Sequence, residues 1–193
     1  MVGIENISPL STKWLHQDND STLPQLSWHF FKNDIWRFPL GSNPNYGIEL
    51  GSSIIFSDSI PVLALFFKLF KSFIPENFQY ISFWYLICFY FQLFFSFKIL
   101  KKFTNSTPYS LIGSFFFLFA PIFIYRLQWP SLAGHWLLLF ALYLGLTQKI
   151  DKAKWSWLFL IILASLINIY LTVVILTVYS VLRIFNFSFD KKN

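Results

Sequence analysis

The sequence predicts an all-α integral membrane protein, a multi-spanning helical bundle preceded by an extracytoplasmic N-terminal loop region. Three observations carry this reading. Of the 193 residues, 55 % are hydrophobic, 22 % aromatic and 12 % charged, against about 25 % charged in an ordinary soluble domain. Mean hydropathy is +0.54. Near residue 60 a polar, acidic, turn-rich stretch gives way to almost unbroken Phe, Leu and Ile, and from Phe78 onward there are too few polar side chains to cover a soluble core. The 26 Phe, with many Ile, Lys and Asn, also point to an AT-biased coding background, so a single aromatic residue carries little information.

Residues 1–59 read as an extracytoplasmic region of short helices and turns. Residues 60–74 contain Lys68 and Lys71 and are too short to span, so they read as an interfacial helix. Transmembrane helices are expected over 79–185, at about 79–101, 109–126, 132–148 and 155–185, because crossing the hydrocarbon core takes about 20 apolar residues. The last stretch would run about 46 Å against a core of about 30 Å. It is either one long tilted helix or two segments hinged near Asn168–Ile169–Tyr170, and the absence of Pro and Gly favours one. Residues 186–193 form a polar tail.

Orientation follows from lysine placement. Lys98, Lys101 and Lys102 close the first span and Lys149, Lys152 and Lys154 fill the connection before the last, whereas the intervening connection holds Arg126. The positive-inside rule makes the lysine connections cytoplasmic and puts residues 1–78 outside. The N-terminal 76 residues carry net charge −2 and the remainder +8. The overall +6 is thus a topology signature, and no nucleic-acid partner is expected. The expected location is a bacterial cell (inner) membrane, multi-pass, with the bilayer as partner. Met1–Asn19 shows no basic segment followed by an apolar one, so the sequence reads as a partial chain lacking a preceding transmembrane helix. Cys88, the lone cysteine, falls mid-span and reads as a small core residue.

Candidate chemistry lies in the outer segment. From Trp28 to Gly47, aromatic anchors alternate with turn residues, and Gly41, Pro44 and Gly47 punctuate a compact loop. Ile54–Ile55–Phe56 then delivers Asp58 to the point where the chain meets the membrane. Asp58 or Ser57 is expected to N-cap a helix beginning near Ile60–Pro61, with Pro in its first turn. A carboxylate there is also placed to take a proton or hold a metal ion.

The ordered motifs Trp28-x-Phe30-Phe31, Phe38-Pro39-Leu40-Gly41, Pro44-x-Tyr46-Gly47, Ser53 to Pro61, Phe67-Lys68, Phe78-Gln79-Tyr80, Pro121 and Gly134-His135-Trp136 cover most of residues 14–175. In them the chain resembles an uncharacterised bacterial family of polytopic membrane proteins, domain-of-unknown-function family 6311. That family's pattern has an acidic residue about eight positions before the Trp, matched by Asp20 ahead of Trp28. Where relatives tend to show His-Pro-Tyr, this chain has Asn168–Ile169–Tyr170. The layout is similar to that of the glycosyltransferase C superfamily, whose members take a sugar from a polyprenyl-phosphate donor. The resemblance implies Asp20 and Asp58 as catalytic carboxylates that would share a divalent cation, Mg or Mn. It also implies Arg126 and His135 beside the donor phosphate.

Each residue also has a plainer reading. Asp20 lies in Asp18–Asn19–Asp20–Ser21, a solvated turn by composition. Arg126, ahead of Trp129–Pro130, fits an interfacial snorkelling anchor. His135 opens an apolar helix, where an ionisable group is costly and marks a functional candidate. His16 and His29 lack the spacing of a zinc site. Nucleotide-binding loops, a Ser nucleophile elbow and paired Cys/His ligands are absent from the sequence. A structural or assembly subunit and a transporter fragment stand as alternatives to the transferase. The second would need midplane polar groups, of which only Asn168 and Gln92 qualify.

Overall fold

The computed structural model describes residues 8–10, 22–47, 50–148 and 152–190, excluding the side chains of 186–190. The described part is mostly helical and divides into two compact units, residues 1–87 with 125–133, and residues 88–124 with 134–193.

The first unit opens with α1 (Thr22–Asn33), whose Pro24, Ser27, Trp28 and Phe31 recur at helical spacing and are buried. Trp28 donates from Nε1 to Phe78 O at 3.0 Å and packs edge-on to Tyr80 at 5.0 Å. A small antiparallel ladder follows, β1 (Ser42–Asn43) and β2 (Ser52–Ser53), in register Ser42↔Ser53 and Asn43↔Ser52. Gly41 precedes β1 with φ +97°, and a Cβ there would sit 3.0 Å from Ile54 Cγ1, so the ladder closes only because this residue is glycine.

Next comes α2 (Pro61–Leu69), followed by a 3-10 turn over Lys71–Phe73. This helix is inverted relative to a water-soluble one: Pro61, Ala64 and Lys68 are buried, while Phe66, Leu69, Phe70 and Phe73 face outward. The expected helix over 60–74 is therefore shorter. The expected cap is corrected too: the N-cap position is Ile60, in the left-handed region, and no side chain caps the helix. Ile60 has no side-chain acceptor to offer, and Ser57 and Asp58 bond elsewhere.

The long apolar helix α3 (Ile81–Thr104) begins in the first unit and continues into the second. In the first unit Trp84 donates from Nε1 to Pro130 O at 2.5 Å and Tyr85 from its hydroxyl to Leu127 O at 2.7 Å. These bonds tie the helix start to the 127–133 connection.

In the second unit α3 ends at Asn105, whose φ of +51° reverses the chain. The stretch expected as one span over 109–126 is two helices, α4 (Thr107–Leu118) and α5 (Pro121–Arg126). Pro121 cannot donate to the preceding turn, so the helix stops before it. A 3-10 turn over Pro130–Ala133 in the first unit leads to α6 (Trp136–Thr147). The stretch 155–185, for which one helix was favoured, is likewise two, α7 (Lys154–Ser165) and α8 (Ile169–Asp190). Asn168 is the reason: its side-chain carbonyl accepts Tyr170 N–H at 2.8 Å, an N-cap that starts a new helix without Pro or Gly.

Helices α6, α7 and α8 pack on one another, with Gly145 so close to α8 that a Cβ would come within 2.7 Å of Leu182 Cδ1. Phe91 and Phe95 of α3 stack on Trp136 of α6 at 4.7 and 6.2 Å. Outward positions are apolar as well, Phe116, Phe159, Tyr170 and Val173 among them. Among the described residues two apolar segments, Ile81–Thr104 and Pro130–Thr147, are long and apolar enough to cross a membrane, and three shorter apolar helices accompany them.

Candidate functional site

The candidate site grows from the segment Ser57–Ile60. Asp58 has φ +57° and Ile60 φ +46°. Asp tolerates the left-handed region; a β-branched Ile there is an outlier costing about 1–3 kcal/mol. The neighbours hold the conformation. Ile60 is fully buried, and Ser59 O accepts the Tyr80 hydroxyl, one residue before α3 begins. Asp58 itself, half-buried, reaches across to the 3-10 turn, where Ser131 donates its N–H to Oδ2 at 3.3 Å and its hydroxyl to Oδ1.

Behind Asp58 lies a buried polar cluster that reading the sequence missed. Ser57 donates to Ser27 Oγ at 2.6 Å and shares a 2.8 Å bond with the Ser59 hydroxyl. Asn43 Nδ2 donates to Ser27 O at 2.9 Å. Ser59 donates to Pro24 O at 3.3 Å. These small polar groups join α1, the ladder and the approach to α2 into one frame. The available signal was the run Ser57–Asp58–Ser59 between apolar neighbours, which demands partners without saying which.

Two buried lysines complete the unit. Lys68 donates from Nζ to Ile35 O at 3.3 Å and sits over the rings of Phe31 and Trp36, 3.8 and 4.9 Å from their centroids. Burial lowers its pKa, with Asp34 opposing. Lys32 donates to Pro75 O at 3.3 Å and Glu76 O at 2.6 Å, and burial lowers its pKa too, with Glu76 opposing. The Arg37 guanidinium, 3.2 Å from Asp34, holds that carboxyl below its usual range. Beside α1, a cleft of about 240 Å³ presents Gln25, His29, Glu76 and Asn77 over Trp28 and Phe78. The Gln25 Oε1 is buried there without a protein partner.

The expected site residues are distributed as follows. Asp58 and Arg126 belong to the same unit; Arg126 ends α5, half-buried, and its carbonyl accepts Trp129 N–H at 3.0 Å. His135 belongs to the second unit, in the N-cap position of α6, its ring 6.2 Å from that of Phe123. Asp20 lies outside the described residues. Asp20 and Asp58 are the residues expected to hold a divalent cation, and of these the described residues include Asp58 alone. Among the described residues no group of three or more His, Cys, Asp or Glu side chains converges, and both oxygens of Asp58 accept from Ser131.

No curated protein and no solved structure matches the chain significantly. One family does, over residues 1–192, described as Domain of unknown function (DUF6311). The chain belongs to that family.

Proposed function

We propose that this chain is a multi-pass protein of the bacterial cell membrane with its N-terminal region on the outer face. In this reading it transfers a sugar from a polyprenyl-phosphate donor, as glycosyltransferases of the C superfamily do. The membrane part is supported by the two long apolar segments and by helices whose outward faces are apolar, which in water would present far more apolar surface than a monomer leaves exposed. The observation that carries the transferase part is the Asp58 carboxylate, oriented by Ser131 where both long apolar segments begin. A lipid-borne phosphate and an aqueous hydroxyl meet at such a boundary.

In the reaction, the acceptor hydroxyl oxygen bonds to the anomeric carbon as the bond from that carbon to the phosphate oxygen breaks. The electron pair leaves with the polyprenyl phosphate, and the hydroxyl proton passes to a carboxylate. Asp20 takes that proton. Asp58, fixed by Ser131 but with lone pairs remaining, is the second carboxylate. Arg126, in the same unit as Asp58, offsets the charge of the leaving phosphate. The cleft beside α1 receives the acceptor.

The test is transfer from a radiolabelled polyprenyl-phosphate hexose by the full chain in proteoliposomes. Release of polyprenyl phosphate is expected, falling by about 10²–10⁴ in Asp20→Asn. A wild-type chain that releases none, or an Asp20→Asn variant as fast as wild type, refutes the reading. A second reading, a non-catalytic structural or assembly subunit, is favoured by the Asp58–Ser131 contact, which ties the ladder to the 127–133 connection without any substrate. It expects Asp58→Asn to lower stability in a protein that has no transfer activity.

A further inference from the structure

The ladder has two ends, and they differ in chemistry. At one end the chain turns between β1 and β2 through exposed Asn45 and Gly47. At the other end Gly41 O accepts both Ile54 N–H and the Ser53 hydroxyl at 3.0 Å. This bonding brings the chain at Gly41 against the chain at Ile54, and Phe38, Leu40, Ile55 and Phe56 flank those two residues in sequence. All four are apolar and open: Phe38 is 93 % exposed, Leu40 61 %, Ile55 61 % and Phe56 85 %. Buried alternatives exist in the same segment, since Ile54 is fully covered, so the exposure is selective.

What covers this tip follows from where it is rooted. Two residues beyond Phe56, Asp58 holds Ser131, the second residue of the apolar segment Pro130–Thr147. One residue further, Ser59 O holds the Tyr80 hydroxyl, directly before the apolar helix α3. The tip therefore springs from the level at which both long apolar segments start. If those segments cross a bilayer, that level is the boundary between headgroups and acyl chains, where aromatic and aliphatic side chains partition.

We infer that Phe38, Leu40, Ile55 and Phe56 form a lipid-inserting tip by which the first unit touches the bilayer surface. The inference rests on the membrane reading above. It goes beyond it by assigning to the ladder a lipid contact that neither the spans nor the reaction requires.

The experiment uses the full chain in nanodiscs, in a Cys88→Ala background, with a fluorescent probe at single cysteines and nitroxide phospholipids as quencher. Probes at Phe56→Cys and Leu40→Cys are expected to be quenched at least two-fold more than one at Asn45→Cys, an exposed position in the connection between the strands. Tyr90→Cys, on an exposed face of α3, reports whether that helix is in lipid at all. Quenching at Tyr90→Cys with none at the tip overturns the inference and leaves the membrane reading standing. Absence of quenching at all positions overturns both. A probe at the tip that becomes apolar in emission without lipid quenching means a protein partner covers it, which also overturns the inference.

Discussion

The contact between Asp58 and Ser131 is the most decisive place to perturb, because it joins segments 73 residues apart and decides between a substrate-facing and a structural carboxylate. Ser131→Ala removes the hydroxyl donor to Oδ1 and keeps the backbone N–H to Oδ2. A hydrogen bond to a charged group contributes about 1.5–3 kcal/mol; Asp58 is only half-buried, so about 1–2 kcal/mol is expected here. Asp58→Ala removes both bonds at once from Ser131, which is almost fully buried, at a further cost of about 1–3 kcal/mol. Asp58→Ala should therefore be the more damaging single change. The two together should show a coupling of about 1–2 kcal/mol in a double-mutant cycle. Thermal unfolding in detergent followed by tryptophan fluorescence is the assay, with a Tm change of roughly 2–4 °C per kcal/mol for a chain of this size. Additive single effects, with coupling under about 0.5 kcal/mol, would show that the contact does not hold the ladder to the connection.

Two further outcomes are expected. Asn168→Ala removes the side-chain acceptor for Tyr170 N–H and should cost about 0.5–2 kcal/mol, read as faster hydrogen exchange at the Tyr170 amide with little change inside α7. Lys32 and Lys68 both have folded pKa values lowered by burial, so in alkaline solution the unfolded chain binds more protons. Stability should then rise with pH between the lowered folded values and the ordinary lysine value of 10.5. Lys68→Met should flatten that rise in unfolding experiments across this range, and an unchanged slope would contradict the burial of its ammonium.

How much of this was legible in the sequence varies with the physics involved. Helical class and the long apolar run that becomes α3 are properties of composition, and hydropathy reads them directly. Helix ends are not, because a few hydrogen bonds decide them. The proline that separates α4 from α5 was visible but was averaged into a hydrophobic window, and Asn168 ends one helix and caps another through a single side-chain bond. At the candidate site, Ser57 and Asp58 read as helix caps because both are good capping residues near Pro61. Their bonds instead go to Ser27 and Ser131, 30 and 73 residues away, and nothing local in a sequence encodes such a partner. Lys68 shows the same limit: a lysine in an apolar stretch suggests an outward, interfacial residue, yet it turns inward to a carbonyl and two rings.

The first unit is discontinuous in the chain, and this sets an order on biogenesis. Its frame depends on Leu127, Pro130 and Ser131, which are made after α3, α4 and α5. A ribosome adding about 5–20 residues per second needs roughly 2–9 s to go from residue 87 to residue 133. During that interval the indole of Trp84, the phenol of Tyr85 and the carboxylate of Asp58 lack those partners. The N-terminal region thus waits, unfinished, for synthesis to deliver a short return segment, residues 127–133. A ribosome stalled before residue 127 would leave a product whose apolar helices are all present up to α5 and whose first unit is still open.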